Sequence, residues 1–106
     1  MNVADPDCTV AAAGFTAIQD IAINQNNGTL YVYELAADGV LAFEAGLESG
    51  DIPPAVLLKV KNNKRTELLA GQLSQPGGVA VSHNGTVFVT DNVFTPEGGR
   101  LAQVRG

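Results

Sequence analysis

One phrase is written twice in this chain. Residues Asn27-Gly28-Thr29-Leu30-Tyr31-Val32-Tyr33-Glu34 return as Asn84-Gly85-Thr86-Val87-Phe88-Val89-Thr90-Asp91, 57 positions further on. Each copy joins an Asn-Gly turn to an alternating apolar strand that ends in a carboxylate. Internal repetition of this kind restricts the fold to architectures in which each unit buries its apolar face against the next. The match extends both ways. Ile21-Ala22-Ile23 corresponds to Val79-Ala80-Val81, with one extra Asn before the first turn, and Cys8-Thr9-Val10-Ala11-Ala12 lines up with Thr66-Glu67-Leu68-Leu69-Ala70. Downstream, Pro54-Ala55-Val56-Leu57-Leu58-Lys59-Val60-Lys61 corresponds to Gly98-Gly99-Arg100-Leu101-Ala102-Gln103-Val104-Arg105, 44 positions on. The first copy therefore carries about 13 extra residues between 36 and 53. Without them the period is roughly 44, inside the window of about 40–50 residues for four-stranded propeller blades.

The local pattern predicts short strands. Weak apolar alternation marks 9–13, and small and branched residues mark 20–24 as a tightly packed inner strand. Residues 29–35 alternate after Asn27-Gly28, a pair suited to the positive φ angles of a type I′ hairpin. Segments 55–60 and 65–70 read as a hairpin across Asn62-Asn63. The second copy supplies 78–82, 86–91 and 100–105, with its hairpin at Asn84-Gly85. The stretch 36–54 has no strand pattern, and Gly46, Gly50, Pro53 and Pro54 mark it as an inserted loop or extra hairpin. The expected fold is all-β, built of antiparallel four-stranded meanders. Residues 1–106 then divide into an outer strand (9–13), a blade (14–70) with an inserted loop (36–54), and an incomplete blade (71–106). An isolated blade leaves its neighbour-facing side apolar, and repeat proteins need about three units for stability. The chain is thus expected to be a fragment or a subunit of a larger ring.

Composition narrows the partners. The 106 residues carry a net charge of −5, and the one basic cluster, Lys59 to Arg65, falls on a predicted hairpin. That balance argues against nucleic acid and against an anionic membrane surface. A single cysteine, Cys8, allows no intrachain disulfide, and no apolar run approaches a membrane span. The start at Met1 shows no signal-peptide pattern.

The stretch Leu73-Ser74-Gln75-Pro76-Gly77-Gly78-Val79-Ala80-Val81, with Val87-Phe88-Val89-Thr90-Asp91, resembles the NHL-type propeller repeat. Most of the chain is similar to the ScyD/ScyE family, through Gly14-Phe15-Thr16-Ala17-Ile18-Gln19-Asp20-Ile21-Ala22-Ile23, through Leu30 to Leu41, and through the Pro-Gly motif. These are bacterial propeller proteins encoded with scytonemin biosynthesis in cyanobacteria and spread more widely. The resemblance implies a six-bladed fold, of which this chain covers about two blades, and an extracytoplasmic location. It implies no catalytic residues.

Candidate site residues are few. Asp20 precedes the first inner strand, where propeller hydrolases hold a metal by carboxylates converging from several blades. Its repeat partner is Gly78, so the repeat does not require it; the simpler role is to accept backbone N–H bonds from a neighbouring loop. Glu34 and Asp91 recur at the end of the second strand, which favours a structural role, and Asn92 adds an amide beside Asp91. Phe43, with Leu47 and Ile52, would offer apolar contacts in the insert. His83, the only histidine, lies in a turn, and no nucleophile–base pair can be assembled around it. Both Asn-Gly-Thr triplets fit a glycosylation sequon, but the hairpin turns account for them.

The expected function is a non-enzymatic binding or interaction module, ScyD/ScyE-like, meeting a small molecule or protein at a loop rim. No catalytic residue, metal site or cofactor is assigned. The alternative is a metal-assisted lactonase or hydrolase of the six-bladed class, with a divalent cation such as calcium. Expected partners are the remaining blades, or further copies of this chain, three of which would make six blades. Neither nucleic acid nor membrane is expected.

Overall fold

The structure is a computed structural model and describes residues 12–94 and 98–104. Its β-strands form two antiparallel sheets. The first sheet holds β1 (Ile18–Ile23), β2 (Leu30–Glu34), β3 (Val56–Lys61) and β4 (Lys64–Leu68), in that order. The second holds β5 (Val79–Val81), β6 (Val87–Asp91) and β7 (Arg100–Val104), again in chain order. Both are meanders, and both duplicated phrases form strands. The expected first strand at 9–13 is not formed at Ala12 and Ala13; residues 9–11 lie outside the described residues, as does Cys8.

Register repeats as closely as sequence does. Ile21 pairs with Val32 and Ala22 with Tyr31 in the first sheet; Val79 pairs with Val89 and Ala80 with Phe88 in the second. Leu30 faces Val60, as Val87 faces Val104; Glu34 faces Val56, as Asp91 faces Arg100. Because side chains alternate with a period of two, a slip of one residue in either copy would turn its apolar set outward. Equivalent positions before each sheet also share an unusual backbone: Ala17 and Gln75 both take positive φ, 47° and 52°. Their carbonyls accept from Leu35 N (2.9 Å) and Val93 N (3.2 Å). Neither residue is a glycine, so this part of the repeat lies in conformation rather than composition.

The core lies between the sheets. Tyr31, Tyr33 and Leu57 point from the first sheet onto Val79, Val87, Val89 and Val104 of the second, with Ala55 and Leu73 closing the cluster. β1 lies beside β5. Among the described residues, Asp20, Tyr33 and Asn26 bind the sheets together, each reaching about one repeat along the chain. Asp20 Oδ2 accepts from Val79 N (2.9 Å), the Tyr33 hydroxyl donates to Thr90 O (3.1 Å), and Asn26 Nδ2 donates to His83 O (2.9 Å). The second sheet thus sits on the first as its successor by one step.

Three turn expectations resolve differently. Asn62 and Asn63 both take positive φ (52° and 64°) between the paired Lys61 and Lys64, the two-residue I′ geometry. At the Asn-Gly turns only glycine does so, Gly28 at 76° and Gly85 at 88°, so neither is a I′ turn. The second is a three-residue loop, with Gly85 N donating to Ser82 O (2.9 Å) and Ser82 N to Thr86 O (2.8 Å). The first is one residue longer, and Gly28 N donates to Asn24 O (2.7 Å). The extra Asn in the first copy accounts for that difference.

The insert is not a loop or hairpin. It contains α1 (Val40–Ser49), whose Val40, Phe43 and Leu47 fall on one helical stripe. Gly50 ends it in the left-handed conformation (φ 83°), its N–H donating to Gly46 O (2.8 Å). Gly46 reads as a breaker by propensity. Here it lets the chain fold back: a Cβ would stand 2.7 Å from Pro53 Cδ and 2.8 Å from Asp51 O. Close packing outweighed propensity.

Candidate functional site

In a meander the turns alternate between two ends. One end carries the turns at Asn27-Gly28, Asn62-Asn63 and Asn84-Gly85. The other carries the insert with α1, the segment entering β1, the 69–78 connection and the chain leaving β6. Asp20, Glu34, Asp91, Asn92 and Phe43 all fall towards this second end, but the structure does not gather them into one site.

Each carboxylate has its own structural task. Asp20 lies within β1, beside a bulge between Ile18 and Asp20, rather than ahead of the strand. Its Oδ1 accepts from Ile21 N (2.9 Å) and its Oδ2 from Val79 N. Those two N–H groups are repeat equivalents, so one carboxylate ties the same point of both sheets. Glu34 is buried, and its Oε2 accepts from Thr16 N at 2.7 Å. In the second copy Asp91 lies 3.4 Å from Ser74 N, the matching position. Among the described residues, no three His, Cys, Asp or Glu side chains gather at one point.

Asp91 does more than its counterpart. It is 1% exposed, and Arg100 grips both of its oxygens, Nε to Oδ1 at 2.9 Å and Nη2 to Oδ2 at 2.7 Å. Arg100 Nη2 also donates to Gln72 O (3.2 Å). The bond to Asp91, and then its charge, push the Arg100 pKa further up. Burial, and then the Asp91 charge, raise Tyr33 well above the usual tyrosine value, with Arg100 acting in opposition. Sequence reading did not single out Arg100, although the repeat alignment places it opposite Asp91, as Val56 is opposite Glu34. Asn92 takes positive φ (56°) and its N–H donates to Ser74 O at 2.7 Å.

The apolar side chains at this end are differently disposed. Phe43 is buried, its ring 6.0 Å from that of Phe94. Leu41 is 80% exposed and Phe94 62%, with Val40, Leu47 and Val93 each nearly half exposed. The accessible apolar surface is therefore carried by Leu41 and Phe94, which the residue pattern alone did not pick out. The Val40, Phe43 and Leu47 stripe was an available signal for the helix, but it names neither Leu41 nor Phe94. At the opposite end His83 is exposed, and Asn27 and Asn84 turn their side-chain oxygens onto Thr29 N (3.0 Å) and Thr86 N (3.3 Å).

The chain matches no model of a known protein family and no curated protein.

Proposed function

We propose that the protein is a repeat protein of the β-propeller class, ScyD/ScyE-like, acting as a non-enzymatic extracytoplasmic binding module in scytonemin-type secondary metabolism. What supports the class is the stacking of two meanders of equal register, offset by one repeat. What carries the binding role is the insert: only one copy has it, and it presents an exposed Leu41 at the end of the molecule that also carries the Phe43–Phe94 pair. An element that the repeat does not require, carrying exposed apolar side chains beside polar neighbours, suits a flat aromatic ligand or an apolar peptide segment.

The chain has no tryptophan, so the emission of an indole probe can be read against it directly. Titrating the protein into indole should give a saturable blue shift, reduced at least tenfold in affinity by Leu41→Asp with Phe94→Asp. Unchanged indole emission at millimolar protein would overturn the reading. Calcium- or zinc-dependent turnover of a lactone panel would establish the hydrolase class instead.

A further inference from the structure

The geometry points to head-to-tail self-stacking, in which the outer face of the first sheet receives the outer face of the second sheet from another copy of this chain. It stands apart from the ligand reading, because it uses residues away from α1.

Each sheet has two chemically distinct faces. One is aliphatic: Ile21, Ile23, Leu30, Val32, Leu58 and Val60 in the first sheet. Their equivalents in the second are Val79, Val81, Val87, Val89, Ala102 and Val104. The other carries Tyr31, Tyr33 and Leu57 in the first sheet, and Phe88, Thr90 and Leu101 at the same positions of the second. Inside the molecule, the aromatic face of the first sheet covers the aliphatic face of the second. One face of each kind meets no other sheet, although Val32, on the aliphatic face of the first, is already only 1% exposed and the open part of that face lies along β1. Val79 is 7% exposed, yet its equivalent Ile21 is 56% exposed and Ile23 is 52%. Leu57 is fully buried, yet its equivalent Leu101 is 71% exposed.

The leftover faces are complementary by the same pattern that the molecule already uses internally. That pattern selects a second copy as the occupant. The contact joins two different surfaces, so it is heterologous and propagates from copy to copy. Two features weaken it relative to the internal contact. Gly78, Thr90 and His83 replace Asp20, Tyr33 and Asn26, so none of the three side chains that make the internal cross-sheet hydrogen bonds is repeated. The segment before β1 also crosses the receiving face: Thr16 N is held by Glu34, and the Arg65 guanidinium lies 3.9 Å over the Phe15 ring. Arg65 donates to Gly14 O (3.0 Å) and Ala13 O. Incoming chains must lift this strap, while Ile18, Ile21 and Ile23 stay open along β1.

Sedimentation of the purified chain from micromolar to millimolar concentration tests this. Wild type should associate reversibly. Ile21→Lys and Leu101→Lys should each lower association at least tenfold, since each spoils one face. Their equimolar mixture should regain a one-to-one dimer, because it retains one intact pair of faces. Arg65→Ala, which loosens the strap, should strengthen wild-type association several-fold. Circular dichroism confirms folding, and Ile23→Lys with Leu101→Glu replace any variant that fails to fold. A wild type that stays monomeric throughout, or a mixture that regains no dimer, overturns the proposal.

Discussion

The two sheets share register and topology but differ in what surrounds them, and that difference separates encoded structure from context. Tyr31 and Phe88 occupy the same repeat position. The first is buried against the second sheet; the second lies half-buried on a free face. The same holds for Val79 and Ile21. Strand order and pairing therefore follow from the repeated phrase, while burial follows from place in the stack.

Paired substitutions at equivalent positions sharpen this comparison. The largest effect is expected at the tyrosine: Tyr31→Ala should lose about 3–5 kcal/mol of stability, as core aromatic truncations do. Phe88→Ala should lose less than half as much. Equal losses in denaturant titration would mean that the two faces are equally covered. Next comes the carboxylate at the end of the second strand. Asp91→Ala should destabilise by about 1.5–3 kcal/mol, the range for hydrogen bonds to charged groups. Glu34→Ala should cost less, since among the described residues Glu34 has no arginine partner.

Tyr33 gives the comparison a pH axis. Its folded pKa lies above its unfolded value near 10. The neutral phenol is thus favoured by folding: its contribution is complete below pH 10 and fades as pH rises from there. Thr90, its equivalent, cannot titrate. Thermal melts from pH 8 to 12 should show a loss above pH 10 that Tyr33→Phe reduces; an unchanged profile would place the alkaline sensitivity elsewhere.

The smallest effect is expected at the turn threonines. Thr29 Oγ1 is buried without a hydrogen-bond partner, whereas Thr86 Oγ1 donates to Asn84 Oδ1 at 3.0 Å. Thr29→Val should be neutral or stabilising. Thr86→Val should cost about 0.5–1.5 kcal/mol. A larger loss at Thr29 in chemical denaturation would reverse the ranking.

Most of the strand framework was legible because alternation and duplication report it directly. The 44-residue correspondence even placed Arg100 in the correct register. Three things were hidden. Helix α1 lacks a side-chain N-cap bond and carries Gly46, so local propensity speaks against it; only packing against Ile52 and Pro53 explains that glycine. The paired positive φ angles at Ala17 and Gln75 have no compositional signal. The accessible rim residues, Leu41 and Phe94, emerge only once α1 and the loop after β6 meet. The carboxylates were visible as residues, but their tasks depended on which N–H groups lay within reach.

Asp20 has a consequence for how such a chain avoids assembling wrongly. Two units this alike invite exchange of places, the characteristic error of repeat proteins during folding. Asp20 holds Ile21 N and Val79 N together, whereas Gly78, at the matching point, offers no side chain at all. Stacking in the reverse order would keep the local bond to Ile21 N but take Asp20 away from Val79 N. Asp20, together with Tyr33 and Asn26, therefore acts as a key that favours one order of two near-identical units.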